Sequence, residues 1–397
     1  MLSGLEFSKR FFDFKYSLLL FITISSMTTP SSLALTTSDF LFSDLCSVNT
    51  TSTKTCYNDW ISRPGTCYED SCCVSFETAT SWYYRTAQAS QVVFSSMGLV
   101  VLTVYALKYS SKHMLPSNVR VLVNIILILM FTHSIDMIIF HVYHIFRSYK
   151  AVESDPCSVR VKISFCAPFR YIYSFCTLGL AFCQYCVYID RLLCALYKEY
   201  IKYQKVIQYL LVILWVIVTT GVVVWVYRDA NLDAYLLSCL NVPLDSMLDL
   251  SYVTATVFPI NIGCCFLSMV MFRHFKKKEN KSRFEIISHF TASVDVDSSE
   301  FLYIVTISQA VFIVVYPVLS LSMRYFYAET YRPVHLTIAT LVYVFDIYCF
   351  VVPLAMVNYG RNRTDTRRAK IWSHVKIKSV GKEGADNYFG MMKSQWE

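Results

Sequence analysis

Seven blocks of apolar residues, each about 18–25 long and almost free of charge, constrain this chain more than anything else in it. They run from about Val92–Tyr109 and Val121–Ile145 through Cys166–Ile189, Val206–Val226, Ser251–Phe272 and Phe301–Met323 to Leu336–Val357. A hydrocarbon layer offers no water to backbone N–H and C=O groups, so segments of this kind cross it as helices that satisfy themselves. Composition agrees: 55% of residues are hydrophobic and 16% charged, against roughly 25% charged in an ordinary soluble domain. The sequence predicts an all-α membrane protein, a seven-transmembrane helix bundle in one domain.

An eighth apolar stretch, Tyr16–Met27, is too short to span. Lys9, Arg10 and Lys15 precede it and Ser32-Leu33-Ala34 follows, which is the grammar of a cleaved signal peptide. The expected organisation is a signal peptide over 1–34, an extracellular cysteine-containing segment over 35–90, the bundle over 91–358 and a cytoplasmic tail over 359–397. Seven spans after a signal peptide leave the N-terminus outside and the C-terminus inside. Charge points the same way. Lys108, Lys112 and Arg120, then Arg191, Lys198, Lys202 and Lys205, then Arg273, Lys276, Lys277, Lys278, Lys281 and Arg283, and the tail from Arg361 to Lys393 all fall on the proposed inner side. Short cytoplasmic loops carry such an excess. The net charge of +8 is thus accounted for by membrane topology, and nucleic acid is not an expected partner. Attraction to anionic membrane lipids is, and "RNRTDTRRAK" (361–370) is expected to run along that surface as a short basic helix.

Cysteine usage sorts by the same topology. Cys46, Cys56, Cys67, Cys72, Cys73, Cys157, Cys166 and Cys239 lie on the outer, oxidising side, an even set that permits disulfides whose connectivity sequence alone leaves open. Asn49-Thr50-Thr51 is a glycosylation sequon on that side, while the matches at Asn280 and Asn362 face inward and should be silent. Cys183 and Cys186 have redox-motif spacing but sit within a span, where thiols pack as small hydrophobes.

One polar pair interrupts this pattern. The third block ends "CQYCVYIDRLLCALYKEY", with Asp190-Arg191 at its inner end. A cation at a helix C-terminus is favoured by the dipole alone. The alternative is a switch at the inner face of the bundle, and the pair by itself leaves both open.

Further stretches narrow the choice. "CVSFETATSWYYR" (73–85), "DPC" (155–157), "CAPFRYIY" opening the third block, "IDRLLCALYKEY" closing it and "NYFGMMKSQWE" at the C-terminus occur in one order. Together they resemble nematode serpentine chemoreceptors of the Sra-type classes, alpha and alpha-beta, seven-transmembrane G-protein-coupled receptors, from about Cys73 to the C-terminus. The resemblance implies a chemosensory receptor of the plasma membrane of sensory neurons and their cilia, serving olfaction. Its partners would be a small-molecule ligand and a heterotrimeric G protein, with no cofactor and no enzymatic step. It implies that Asp190 latches Arg191 until activation frees the arginine for the G protein. It also implies a disulfide between Cys166 and Cys239, pinning a loop over the ligand cavity.

Ionisable residues within spans are expensive and therefore functional suspects. Asp136 and Asp346 each lie about ten residues, or roughly 15 Å, from the outer end of their helix. The second and seventh helices of receptors are neighbours, so the expected ligand site has a polar floor of His133, Asp136 and Asp346. Arg170 stands nearer the mouth, and Tyr171, Tyr173 and Tyr343 form a wall. Such a site suits a small polar or cationic ligand; the same residues would also serve as a network tying helices together. Trp215, Pro259, Pro317 and Pro353 fit kinked helices around a cavity.

Two other protein classes fit parts of the sequence. An intramembrane metallohydrolase would draw on His133, Asp136, His141 and His144, but zinc requires three or four converging ligands, and His141 and His144 fall at the rim. A transporter or channel would show repeated halves, broken helices or a charged path; the seven blocks carry no visible internal repetition.

Overall fold

A computed structural model describes residues 72–109, 115–151, 155–197, 200–281, 286–326 and 332–375, with short pieces between 385 and 393. The signal segment, Cys46, Cys56, Cys67 and the sequon at Asn49 lie outside the described residues. Helix α1 (Cys72–Thr80) precedes the first long helix, α2 (Trp82–Lys108); α3 spans Ser117–Lys150. A 3₁₀ turn (Pro156–Val159) and a short strand β1 (Val161–Lys162) lead into α4 (Ile163–Leu196). Then come α5 (Tyr200–Val226), strand β2 (Tyr235–Leu236), α6 (Leu244–Lys281), α7 (Ile286–Phe326), α8 (Arg332–Val342) and α9 (Phe345–Val375). Seven helical spans are long and apolar enough to cross a membrane, the seventh being α8 and α9 together. The fold is a seven-transmembrane helix bundle.

Neighbours in the bundle follow chain order, with the first and seventh spans closing the ring and the third span also reaching the fifth. Helix α2 packs on α3 and α9, α3 on α4, α4 on both α5 and α6, α6 on α7, and α7 on α9. The third span, α4, is therefore the shared wall. Its core partners include Leu122, Leu129 and Met130 from α3, Trp215 from α5, and Val352 and Met356 from α9. Gly179 lets Trp215 approach α4: the indole N–H donates to the Gly179 carbonyl at 2.8 Å, and an added Cβ would stand 3.2 Å from the ring. Small residues play this part in membrane bundles, where close packing replaces the hydrophobic effect between helices. Ile213, Leu214 and Ile217 of α5 stay exposed, as apolar side chains facing lipid do. Cys183 and Cys186 are buried thiols that reach the carbonyls of Leu122 and Leu211, packing groups rather than a redox pair.

Three differences from the sequence reading have physical causes. The first span begins at Trp82 and not near Val92, because Gln88 and Gln91, polar in any hydropathy window, are buried against neighbouring helices. The basic stretch 361–370 is no separate surface helix but a continuation of α9, which runs unbroken to Val375. The seventh span, expected as one helix, breaks at Tyr343–Val344, well before Pro353, which α9 accommodates. The break opens backbone carbonyls in the interior, and the Gln91 side-chain amide donates to two of them, Thr340 at 2.7 Å and Tyr343 at 3.3 Å. Irregular backbone at membrane depth persists where protein groups satisfy it in this way.

One end of the bundle is knitted covalently. Cys72 is bonded to Cys157, tying α1 to the 3₁₀ turn, and Cys166 is bonded to Cys239, tying the start of α4 to the loop between α5 and α6. Strands β1 and β2 pair antiparallel beside that second bridge, Val161 with Leu236 and Lys162 with Tyr235. Arg147 at the end of α3 donates to the carbonyls of Ser158 and Arg160.

Candidate functional site

Toward the opposite end lies a buried polar cluster at Asp190-Arg191, which the sequence put at the end of the third block but which falls inside α4, more than a turn before the helix stops at Leu196. Asp190 is 0% and Arg191 4% exposed, which a charge merely marking a helix end would not be. The guanidinium is folded back onto its neighbour: Nη2 and Nε donate to Asp190 Oδ2 at 2.8 and 3.1 Å. Asn118, in the first turn of α3, places its Nδ2 at 2.7 and 2.6 Å from the two carboxylate oxygens, and the Tyr200 hydroxyl at the start of α5 donates to the same carboxylate. Gln204, one turn on, donates to Asn118 Oδ1 at 2.5 Å. Burial, reinforced by the Asp190 carboxylate, pushes the Tyr200 phenol up, so it remains a hydrogen-bond donor at neutral pH.

Asp190 is thus held from α3 and α5, while Arg191 reaches the other way. Its Nη1 stands 3.9 Å from Asp295 of α7 and has no hydrogen-bond partner; Lys278 of α6 lies 4.0 Å from the other Asp295 oxygen. Bare buried charge is costly, so paired geometry of this quality holds the arginine in place. Asn118, Tyr200, Gln204 and Asp295 were not legible as site residues. Each is one polar residue beside many at a helix end, and only the bundle brings them to Asp190-Arg191.

The candidate ligand residues separate into three groups. His133, Tyr343 and Asp346 come together in the core. His133 Nε2 is 2.8 Å from the Tyr343 hydroxyl and its Nδ1 is 3.7 Å from Asp346 Oδ1, with Cys349 Sγ at 3.6 Å. Tyr173 meets Tyr343 edge to face at 6.1 Å, and Ser95 of the first span adjoins Asp346. Asp346 occupies the first turn of α9, where unpaired N–H groups and the helix dipole favour a negative charge. Both of its carboxylate oxygens are nonetheless buried without a hydrogen-bond partner among the described residues. Asp136 is buried beside Cys176 of α4, and among the described residues it forms no ion pair with His133 or Asp346.

Arg170 and Tyr171 do something else. The Arg170 guanidinium is fully buried and donates to the loop carbonyls of Asn241 at 2.7 Å and Cys239 at 3.4 Å, so it fastens the bridged loop. Tyr171 is 40% exposed and packs against Tyr227, with no ring contact to Tyr343 among the described residues.

The histidines of the second span do not assemble a metal centre with Asp136. Among the described residues, the histidine and cysteines brought within ligand distance of one another are His144, Cys166 and Cys239. Both sulfurs are bonded to each other and are not the thiolates a metal binds. His144 instead accepts the Cys239 backbone N–H at 3.2 Å.

Comparison with known proteins meets this geometry. The family model described as the serpentine type seven-transmembrane G-protein-coupled chemoreceptor Sra matches residues 69–396. Serpentine receptor class beta-18 of Caenorhabditis elegans is 56% identical over 353 residues, 89% of this chain and 97% of that protein. Class beta-17 is 25% identical over 83% of this chain and 92% of its own length, and class alpha-8 is 23% identical over 67% and 78%. With seven spans in the expected order and a match over nearly all the described residues, the chain is a multi-pass membrane protein that belongs to the Sra family of serpentine seven-transmembrane chemoreceptors.

Proposed function

We propose that this protein is a chemosensory G-protein-coupled receptor of the plasma membrane, which binds a small external ligand and activates a heterotrimeric G protein. The observation that carries the reading is the buried Asp190–Arg191 pair, held by residues from α3 and α5 and facing Asp295 of α7. A group that must act on a partner outside the bundle is here sequestered within it, which is the arrangement of a latch. The basic residues at that end support a cytoplasmic assignment, and the disulfides at the other end support an oxidising, extracellular one. The 1–34 segment is then a signal peptide and the residues beyond 358 a cytoplasmic tail.

The ligand site of this reading centres on His133, Tyr343 and Asp346, with Tyr173 as its wall. Asp136 lies in the same span, and Arg170 holds the loop above. Because Asp346 opens α9 and Gln91 holds the end of α8, a ligand that engages Asp346 acts on the one place where the seventh span is already broken. Displacement of α9 there reaches its far half, which packs on α7. A ligand shifts such a two-state bundle only by its difference in affinity for the two states.

The test is expression with a promiscuous G protein and a screen against small amines, acids, alcohols and ketones. A ligand-evoked G-protein response that saturates with dose is expected from the wild type. The broken seventh span is also a feature of secondary transporters. Ligand-dependent current or uptake in cells without G-protein signalling, and no G-protein response to any compound, would replace this reading with transport.

A further inference from the structure

The acidic start of the sixth span, Asp295-Val296-Asp297-Ser298-Ser299-Glu300, is gripped from two sides, and only one grip belongs to the Arg191 latch. Asp297 and Glu300 are three residues apart and share a helix face, while Asp295 points away from them toward Arg191. On their face stands Arg363, close to the far end of the seventh span, which runs to Thr366. Its Nη2 lies 2.7 Å from Asp297 Oδ1 and bonds Glu300 Oε2 as well. Its Nε donates to the Tyr359 hydroxyl at 3.1 Å, and that hydroxyl donates to the Asp297 backbone carbonyl at 3.0 Å. The Tyr359 ring packs on Phe301 at 5.6 Å. Two carboxylates, one backbone carbonyl and one ring of α7 are thus held by a single turn of α9.

The two grips differ in quality. Arg191 approaches Asp295 only to 3.9 Å, whereas Arg363 makes close contact with both of its acids. Charged groups that meet in a shared network resist separation better than an isolated surface pair. We propose that Arg363 is a positioning residue that clamps the cytoplasmic end of the sixth span to the seventh, and that releasing this clamp frees the sixth span to move. The clamp is a second restraint on the resting receptor, independent of Asp190. The signalling consequence rests on the G-protein reading above; the clamp itself does not.

The experiment uses the full-length receptor with Arg363→Gln, Arg363→Lys and the double variant Asp297→Asn/Glu300→Gln, which opens the same clamp from the other helix should Arg363→Gln reach the surface poorly. Hydrogen exchange of residues 286–300 in purified receptor reads the clamp, and ligand-free G-protein activation at matched surface density reads its consequence. Arg363→Gln and the double variant are expected to speed exchange and to raise basal activation about threefold or more, as loss of two part-exposed ion pairs should. Arg363→Lys, which keeps the charge but loses the Nε bond to Tyr359, is expected to restore part of both. Exchange at the wild-type rate in Arg363→Gln and in the double variant would overturn the clamp. Faster exchange with unchanged basal activity, in a receptor whose wild type does respond to a ligand, would overturn its role in signalling. Faster exchange in a protein that never activates a G protein would leave the clamp standing and remove the coupling reading instead.

Discussion

Tyr200→Phe isolates one strut of the Asp190 latch with the least disturbance to packing. Tyr200 is buried, and its hydroxyl donates to the Asp190 carboxylate, while the ring that fills the space is unchanged by the substitution. A hydrogen bond to a charged group contributes about 1.5–3 kcal/mol. If the bond exists only in the resting state, its loss multiplies the ratio of active to resting receptor by about ten- to a hundredfold, at one decade per 1.4 kcal/mol. A resting receptor with about 1% in the active conformation would then show a basal signal several to tens of times higher. The assay is ligand-free G-protein activation in membranes, normalised to surface receptor. Tyr203→Phe, on a half-exposed neighbour, serves as the control and should change nothing. A Tyr200→Phe receptor at normal surface density with wild-type basal activity would refute the latch, since the bond would then contribute equally to both states.

Three further outcomes are expected. Arg191→Lys should reach the surface normally and lose at least about nine-tenths of ligand-evoked signalling, because lysine lacks the planar fork a partner would engage; full signalling would reduce Arg191 to a helix-end charge. Asp346→Asn should shift the dose–response of a cationic agonist rightward by about tenfold or more with surface level unchanged, as loss of a buried charge partner does; an unmoved curve at normal expression would take Asp346 out of the ligand site. Gly98→Ala should lower thermal stability by about 1–3 kcal/mol, because its Cβ would stand 2.9 Å from the Cys349 carbonyl of α9. Gly221→Ala, with nothing within 4 Å of the added carbon, should be neutral, and equal stability of the two variants would contradict the close approach of the first and seventh spans.

The number of spans and the bundle class were legible because bilayer crossing imposes one length and one composition on every helix, and seven blocks met it. Asp190-Arg191 and Asp346 were legible as suspects for the same reason: charge is rare in such blocks and stands out. What the chain order could not carry was which suspects meet. His133 and Asp136 are three residues apart and read alike, yet only His133 reaches Tyr343 and Asp346. The break at Tyr343–Val344 has no glycine or proline to announce it. It depends on Gln91, some 250 positions earlier, supplying the donors that the lost helix bonds would have used. Arg170 looked like a ligand contact until the bridged loop was seen to occupy its guanidinium. Arg363 looked like one of many basic tail residues until α9 proved continuous and brought it against Asp297 and Glu300. Hydropathy is a property of a segment and survives in one dimension. Pairing of buried polar groups is a property of neighbours, and helices become neighbours only when the bundle closes.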